Sequence, residues 1–121
     1  MHRRHRLVHS GRFQQLYREG RSWVHPLLVL RALDNDLPHS RFGFVVGKRV
    51  GKAVVRNRVK RLMREAMRLR VGQVPPGLDI VLIARVPAVR ATFREIGSAL
   101  DSVLAHLAEA DDMRLGQPET G

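Results

Sequence analysis

The amino-acid sequence predicts a single α+β domain, a small sandwich of one β-sheet and its helices. The chain has 121 residues, which suits one domain. Apolar residues make up 44% of it, enough for one modest core. Segments of helical periodicity alternate with apolar segments of strand length along residues 10–108. The last apolar segment follows a helix, which indicates a parallel strand pair joined by a helical crossover.

The first element is predicted to be a helix over residues 10–19. Ser10 is a suitable N-cap and Gly20 a suitable stop. The apolar residues between them recur at helical spacing, namely Phe13, Leu16 and Tyr17. Residues 1–9 are basic and polar, and we expect a flexible arm. No apolar run follows this arm, so we do not expect a signal peptide.

Extended chain is expected next. Residues 22–33 are rich in Val and Leu and predict a strand, and Pro26 leaves open a split into two. Residues 34–40 have the composition of a turn. Residues 41–46 predict another strand, which we expect to form a hairpin with the first. A basic loop bracketed by glycines follows at 47–51.

Residues 53–70 carry the clearest helical pattern of the chain. One face forms an apolar stripe with two methionines at its border, and we expect it to be buried: Val55, Val59, Leu62, Ala66, Leu69, Met63 and Met67. The opposite face is polar and almost entirely basic: Asn57, Lys60, Arg61, Arg64 and Arg68.

The last third of the chain predicts a strand, a helix and a tail. Residues 79–84 are almost continuously apolar, which is typical of a strand buried on both faces. Residues 92–108 predict an amphipathic helix that begins at a capping box of Thr92 and Glu95. Residues 109–121 are acidic, and we expect them to be disordered.

Net charge restricts the partners. The chain has 22 Lys and Arg against 11 Asp and Glu, a net charge of +11. Four of the acids and one arginine lie in 109–121, so residues 1–108 carry a net charge of +14. Such a domain repels itself unless an anion neutralises it, which indicates nucleic acid, an anionic membrane or an acidic protein. The absence of cysteine fits a cytoplasmic protein, and no apolar run is long enough to span a membrane.

The charge is densest in residues 48–70, which hold ten basic residues and one acid, Glu65. A solvated helix face usually alternates Glu with Lys, whereas this face places like charges beside one another. A polyanion removes that repulsion and releases counterions, so the pattern favours nucleic acid over mere solvation. A membrane surface is a poorer fit, because the apolar stripe has no Trp or Phe to enter lipid.

The same segment resembles the signature of a known family. It reads Gly47-Lys48-Arg49-Val50-Gly51-Lys52-Ala53-Val54-Val55-Arg56-Asn57-Arg58-Val59-Lys60-Arg61-Leu62-Met63-Arg64-Glu65. Phe13-Gln14 and Tyr17 upstream, with Asp79 to Arg85 and Pro87 downstream, extend the match over most of residues 3–108. On these residues the chain is identified as a member of the bacterial ribonuclease P protein subunit family.

The resemblance implies an α-β-β-β-α-β-α fold, similar to the second domain of ribosomal protein S5. It also implies a left-handed strand-helix-strand crossover, an exception to the usual right-handed rule. The implied function is to bind a catalytic RNA and the 5′ leader of precursor tRNA, and so to promote endonucleolytic removal of the leader. The resemblance implies partners in these two RNAs and not in DNA or a membrane. It also implies that the protein alone binds no cofactor and that the RNA of the holoenzyme requires Mg²⁺.

The resemblance also assigns two surfaces. One is a basic surface for the catalytic RNA, comprising Lys48, Arg49, Lys52, Arg56, Asn57, Arg58, Lys60, Arg61, Arg64 and Arg68. The other is a cleft for the single-stranded leader, comprising Phe13, Tyr17, Val29 and Arg31. Aromatic faces stack on unpaired bases, which suits such a cleft. Residue-type burial nevertheless favours core packing for Phe13 and leaves both interpretations open for Tyr17. Arg31 stands where family members often have an aromatic residue.

We expect no catalytic residue and no metal site in the chain itself. Metal-assisted cleavage of a phosphodiester needs clustered carboxylates, and the seven acids of residues 1–108 are scattered. The histidines at 2, 5 and 9 lie on the predicted arm, and Asp34 with Asp36 fits a turn. The alternatives are another basic nucleic-acid-binding module, such as a ribosomal protein or a helix-in-groove DNA binder, and a stand-alone nuclease.

Overall fold

A computed structural model of the chain describes residues 5–7 and 10–116. Its helices and strands follow the predicted order α-β-β-β-α-β-α: α1 Ser10–Glu19, β1 Arg21–Val24, β2 Leu28–Asp34, β3 Arg41–Val45, α2 Ala53–Arg68, β4 Leu78–Ala84 and α3 Phe93–Gly116. Short 3₁₀ turns flank α2 and precede α3. The extended segment predicted over 22–33 is two strands, β1 and β2, which separate at the predicted break near Pro26.

The four strands form one mixed sheet in the order β1-β2-β4-β3. β1 with β2 and β2 with β4 are antiparallel, whereas β3 and β4 are parallel and joined through α2. The predicted parallel pair is therefore confirmed. The predicted hairpin between β2 and β3 is wrong, because β4 lies between them. A strand that is apolar on both faces is best buried at the centre of the sheet, and β4 takes that position. The handedness of the crossover stays a prediction.

The sheet separates two apolar clusters of unequal size. Alternate β2 residues Leu28 and Leu30 face the main core beneath α2 and α3. On the other face α1 covers only part of the sheet, where Leu16 packs against Val81 and Leu7. Side chains of Phe13, Leu33, Val45 and Ile83 surround this second cluster and are only partly buried. The face under α1 is therefore the side of the sheet on which a groove can form.

Two predicted boundaries are wrong. The arm was expected to be flexible over residues 1–9, but Leu7 is buried and donates its backbone N–H to the Phe42 carbonyl at 2.9 Å. Arg6 forms a parallel bridge with Phe42, so residues 5–7 extend the sheet beside β3. Residues 109–116 of the predicted disordered tail continue α3, because buried positions recur at helical spacing as far as Asp111. The rest of both segments lies outside the described residues.

A buried carboxylate on β4 joins three elements. Asp79 is fully buried and accepts hydrogen bonds from Arg12 on α1 at 2.6 Å, and from Arg41 on β3 at 2.8 and 2.7 Å. The Asn35 amide, in the turn after β2, donates a further one at 3.0 Å. Burial alone would raise the pKa of Asp79, but the hydrogen bonds from Arg41, Asn35 and Arg12 hold this pKa below its usual value.

Replacing Asp79→Asn should lower the free energy of unfolding by about 3 kcal/mol near pH 7, because two guanidinium groups lose their partner. The depressed pKa means that this contribution is present above about pH 4 and is lost as the pH falls through the folded-state pKa. The difference between parent and variant should therefore shrink in acid. Denaturant unfolding at several pH values measures it. Asp101→Asn, which removes a solvent-exposed carboxylate from its pair with Arg70, is the matched control and should change stability by less than about 1 kcal/mol.

Candidate nucleic-acid interface

α2 presents its basic face to solvent because its apolar face is buried against the sheet and α3. The buried residues are Val59, Met63, Ala66 and Met67. The predicted stripe is thus rotated: Leu69, expected to be buried, is 62% exposed, and Leu62 is half-buried. The two methionines expected at the border are central, because flexible thioether side chains fill the irregular space above a sheet. The rotation leaves the predicted polar face outward.

The exposed cations of α2 differ in how far they are already engaged. Arg68 pairs with Glu65 at 3.1 Å, and Arg58 donates to the Val89 carbonyl at 3.2 Å. By contrast, three exposed residues form no ion pair or side-chain hydrogen bond within residues 5–7 and 10–116: Lys60, Arg61 and Arg64. Their charges are therefore available to an external anion.

The loop before α2 adds cations at the N-terminal end of the helix. Lys48 and Arg49 lie on an exposed 3₁₀ turn, and Lys52 precedes the first residue of α2. Arg56 is half-buried and turns back to donate to the Gly51 carbonyl at 3.1 Å, so it shapes this loop. The predicted basic residues thus form one surface along the loop and the outer face of α2, although Arg56 has an internal partner.

Two grooves meet on this surface. One, of about 670 Å³, lies along α2 and is lined by Val54, Asn57, Arg58, Lys60, Arg61 and Arg64. The other, of about 460 Å³, passes over β3 to α1 and is lined by Arg6, Leu7, Phe13, Phe42, Gly43, Phe44, Lys60 and Arg64. Lys60 and Arg64 line both. The two grooves are therefore adjacent, with cations along one and aromatic rings added in the other.

The four residues predicted to form a cleft are not all in this groove. Phe13 lines the groove, and its ring also packs on the second apolar cluster. This side chain is therefore both part of the groove and part of the core packing. Tyr17 is 40% exposed one turn further along α1, and Val29 is half-buried on β2. Burial raises the pKa of Tyr17, against the opposing charge of Arg31, so its ring stays neutral at physiological pH.

Arg31 is engaged within the protein. Its guanidinium donates to the carbonyls of Leu16 at 3.1 Å and Tyr17 at 2.6 Å, the last turn of α1. It also lies 6.0 Å from the centroid of the Tyr17 ring. Arg31 therefore caps α1 and covers Tyr17 instead of projecting freely from the sheet.

Five residues that the sequence did not predict line the groove over β3: Arg6, Leu7, Phe42, Gly43 and Phe44. Arg6 had been assigned to the flexible arm, and its place beside β3 depends on a long-range bridge that no local pattern reveals. Phe44 had only the signal of its strand, where aromatic residues alternate around Gly43. The groove arises where three separate segments meet, so its lining depends on sheet order.

The described residues offer no metal centre. Within them no group of three or more His, Asp and Glu side chains is placed to hold an ion. His5 Nδ1 lies 2.8 Å from the Ser40 carbonyl oxygen, while His2 and His9 are outside the described part. Asn35, between Asp34 and Asp36, accepts the Leu37 N–H at 2.8 Å, as in an Asx turn. None of the described helices has the length and hydropathy needed to cross a membrane.

Comparison with known proteins agrees on one family. The family described as "Ribonuclease P" matches residues 1–108. The chain is 43% identical over 100 residues to the ribonuclease P protein component of Alkaliphilus metalliredigens, covering 83% of this chain and 90% of that one. It is 39% identical over 122 residues to that of Roseiflexus sp., covering both chains in full.

Solved structures agree with this grouping. The ribonuclease P protein of Staphylococcus aureus superposes with a TM-score of 0.77 at 33% identity, covering 84% of this chain and 94% of that one. The protein of Thermotoga maritima gives the same TM-score and identity and covers 84% and 96%.

Proposed function

The chain belongs to the ribonuclease P protein family, which makes it part of the ribonuclease P holoenzyme of tRNA processing, and on that premise we propose a role for each groove. The groove along α2 and the basic loop bind the catalytic RNA. The groove over β3 and the face of α1 bind the single-stranded 5′ leader of precursor tRNA. The protein thereby promotes endonucleolytic removal of the leader in the cytoplasm.

The observation that carries this proposal is that the two grooves lie side by side and share Lys60 and Arg64 in their lining. Unpaired cations along a helix suit the phosphates of a folded RNA. The rings of Phe13 and Phe44 beside those cations suit unpaired bases, which stack on aromatic faces while the backbone follows the positive charge. A protein that joins the two surfaces can hold a leader next to the RNA that cleaves it.

We assign catalysis and the Mg²⁺ requirement to the RNA. Hydrolysis by two metal ions needs several carboxylates in one place. Asp79 is committed to Arg12 and Arg41, Asp101 pairs with Arg70, and Glu65 pairs with Arg68. These three carboxylates lie on different elements, and each already pairs with an arginine. The protein contributes charge neutralisation and contacts with the leader, while the phosphodiester chemistry belongs to its partner.

A reconstitution assay tests this division. Precursor tRNA is incubated with the protein, with a bacterial ribonuclease P RNA, and with both. We expect no cleavage by the protein alone and cleavage by the RNA alone only at high salt and Mg²⁺, since both RNAs are polyanions that need screening. The pair should cleave at low Mg²⁺. Cleavage by the protein alone would indicate a stand-alone nuclease, and no stimulation of the RNA would indicate another RNA-binding module.

Salt dependence tests the basic face. The logarithm of the association constant for the catalytic RNA should fall with the logarithm of salt concentration by about 0.7–0.9 per phosphate neutralised. Arg64→Ala should reduce the magnitude of this slope by about one unit without loss of fold stability, because Arg64 is exposed and unpaired. Arg94→Ala removes the same charge from the surface of α3, outside both grooves, and should leave the slope unchanged. A parent slope near zero would contradict the proposal.

Leader length tests the cleft. The protein should tighten the binding of precursor tRNA by the RNA much more than that of mature tRNA, and a leader of a single nucleotide should remove most of the difference. Tyr17→Ala should reduce the difference by about 1–3 kcal/mol if one base stacks on the ring. Tyr17→Phe keeps the ring and should retain the difference. If the protein instead raised the affinity for precursor and mature tRNA equally at every leader length, it would act only as a nonspecific counterion, and the cleft assignment would be wrong.

A further inference from the structure

Gly43 lies at the closest approach between β3 and α1. It is buried in the middle of the strand, with Phe42 and Phe44 on either side. A Cβ atom at this position would lie 2.6 Å from both Cε1 and Cζ of Phe13, and 3.5 Å from Cβ of Leu7. The end of the Phe13 ring therefore occupies the space that any other side chain would need.

The strand conformation itself does not require glycine here. Among the residues that the structure describes, the glycines with positive φ are Gly51 and Gly77. A glycine inside a strand is otherwise unfavourable, since it gains no side-chain packing and loses more backbone entropy on folding. The close approach of the Phe13 ring is therefore the reason that position 43 requires glycine.

This contact fixes how deep the Phe13 ring sits. The ring end rests over the β3 backbone, and the ring packs beside Leu7, Leu16 and Val81. The same ring lines the groove that continues to Lys60 and Arg64. A side chain at position 43 would have to displace the ring end by about 1 Å to reach ordinary van der Waals contact, and this displacement would change the lining of the groove.

We propose that Gly43 is a positioning residue for leader binding: it seats the Phe13 ring at the depth at which an unpaired leader base can stack on it. This inference rests on the proposed function of the groove. Gly43 itself contacts no RNA in this proposal and acts only through Phe13. A shift of about 1 Å in a positioned group is enough to weaken a geometry-dependent interaction severely.

The test is a double-mutant cycle with Gly43→Ala, Phe13→Ala and the double variant. The quantity measured is the ratio of the holoenzyme's affinities for precursor tRNA with a long leader and for mature tRNA. Gly43→Ala should lower this ratio about 5-fold or more, the low end of one base–aromatic stack. In the Phe13→Ala background it should change nothing further. Affinity for the catalytic RNA and its salt slope should stay at parent values.

Gly72→Ala is the matched control, because a Cβ at Gly72 meets nothing within 4 Å and the residue lies outside both grooves. Thermal melting of all variants shows whether Gly43 is needed to accommodate the Phe13 ring or is needed by the strand itself. Loss of stability only when Phe13 is present supports the proposal, since the clash is then with the ring. Loss of stability in both backgrounds would assign Gly43 to the strand itself and overturn it.

Two further results would overturn the proposal. One is an unchanged ratio for Gly43→Ala while the parent prefers precursor tRNA, which refutes the seat but leaves the proposed function standing. The other is an equal loss from Gly43→Ala with and without Phe13, which shows that Gly43 acts through another group. A parent protein with no preference for precursor tRNA would instead refute the proposed function, and with it this inference.

Discussion

The position of α1 across the sheet depends on the buried carboxylate of Asp79. Arg12 extends from α1 to this carboxylate, and the same guanidinium donates to the Asp34 carbonyl at 2.5 Å. Arg41 reaches Asp79 from β3 with two hydrogen bonds, so the helix and the edge strand have one common anchor. Phe13 follows Arg12 in sequence, and its ring is therefore placed above β3. The groove exists because a charge pair fixes a small helix that buries few apolar residues.

The arginines of the chain divide into two groups with different physical roles. One group is hydrogen-bonded inside the protein and ties elements together: Arg12, Arg31, Arg41 and Arg70. The other forms the free positive surface of α2, where like charges lie side by side. Two of the seven acids of residues 1–108, Asp79 and Asp101, pair with arginines of the first group, and Glu65 is the only acid among residues 48–70 to offset that surface. A bound polyanion would relieve the self-repulsion that results, which supports the proposed binding of RNA at this surface.

Local patterns predicted the elements well and their assembly less well. Helical spacing located α1 and α2, and continuous apolarity placed β4 inside the sheet, because these signals depend on nearby residues. Nearby residues could not predict which strand pairs with β3, because that strand is β4, which follows α2 in the chain. For the same reason Arg6, Phe44 and Gly43 were missed in the groove, whose walls come from three segments distant in sequence. The length of α3 beyond residue 108 was hidden by its acidic composition.

The arginine at position 31 changes what Tyr17 can do. Its guanidinium holds the last carbonyls of α1 and lies over the Tyr17 ring. A base can then stack only on the part of the ring that Arg31 leaves exposed. The cation also draws π-electron density toward itself, and its positive field favours the phosphate that accompanies a stacked base. Arg31 thus supplies a fixed helix end and a local positive charge beside a Tyr17 ring that is still 40% exposed.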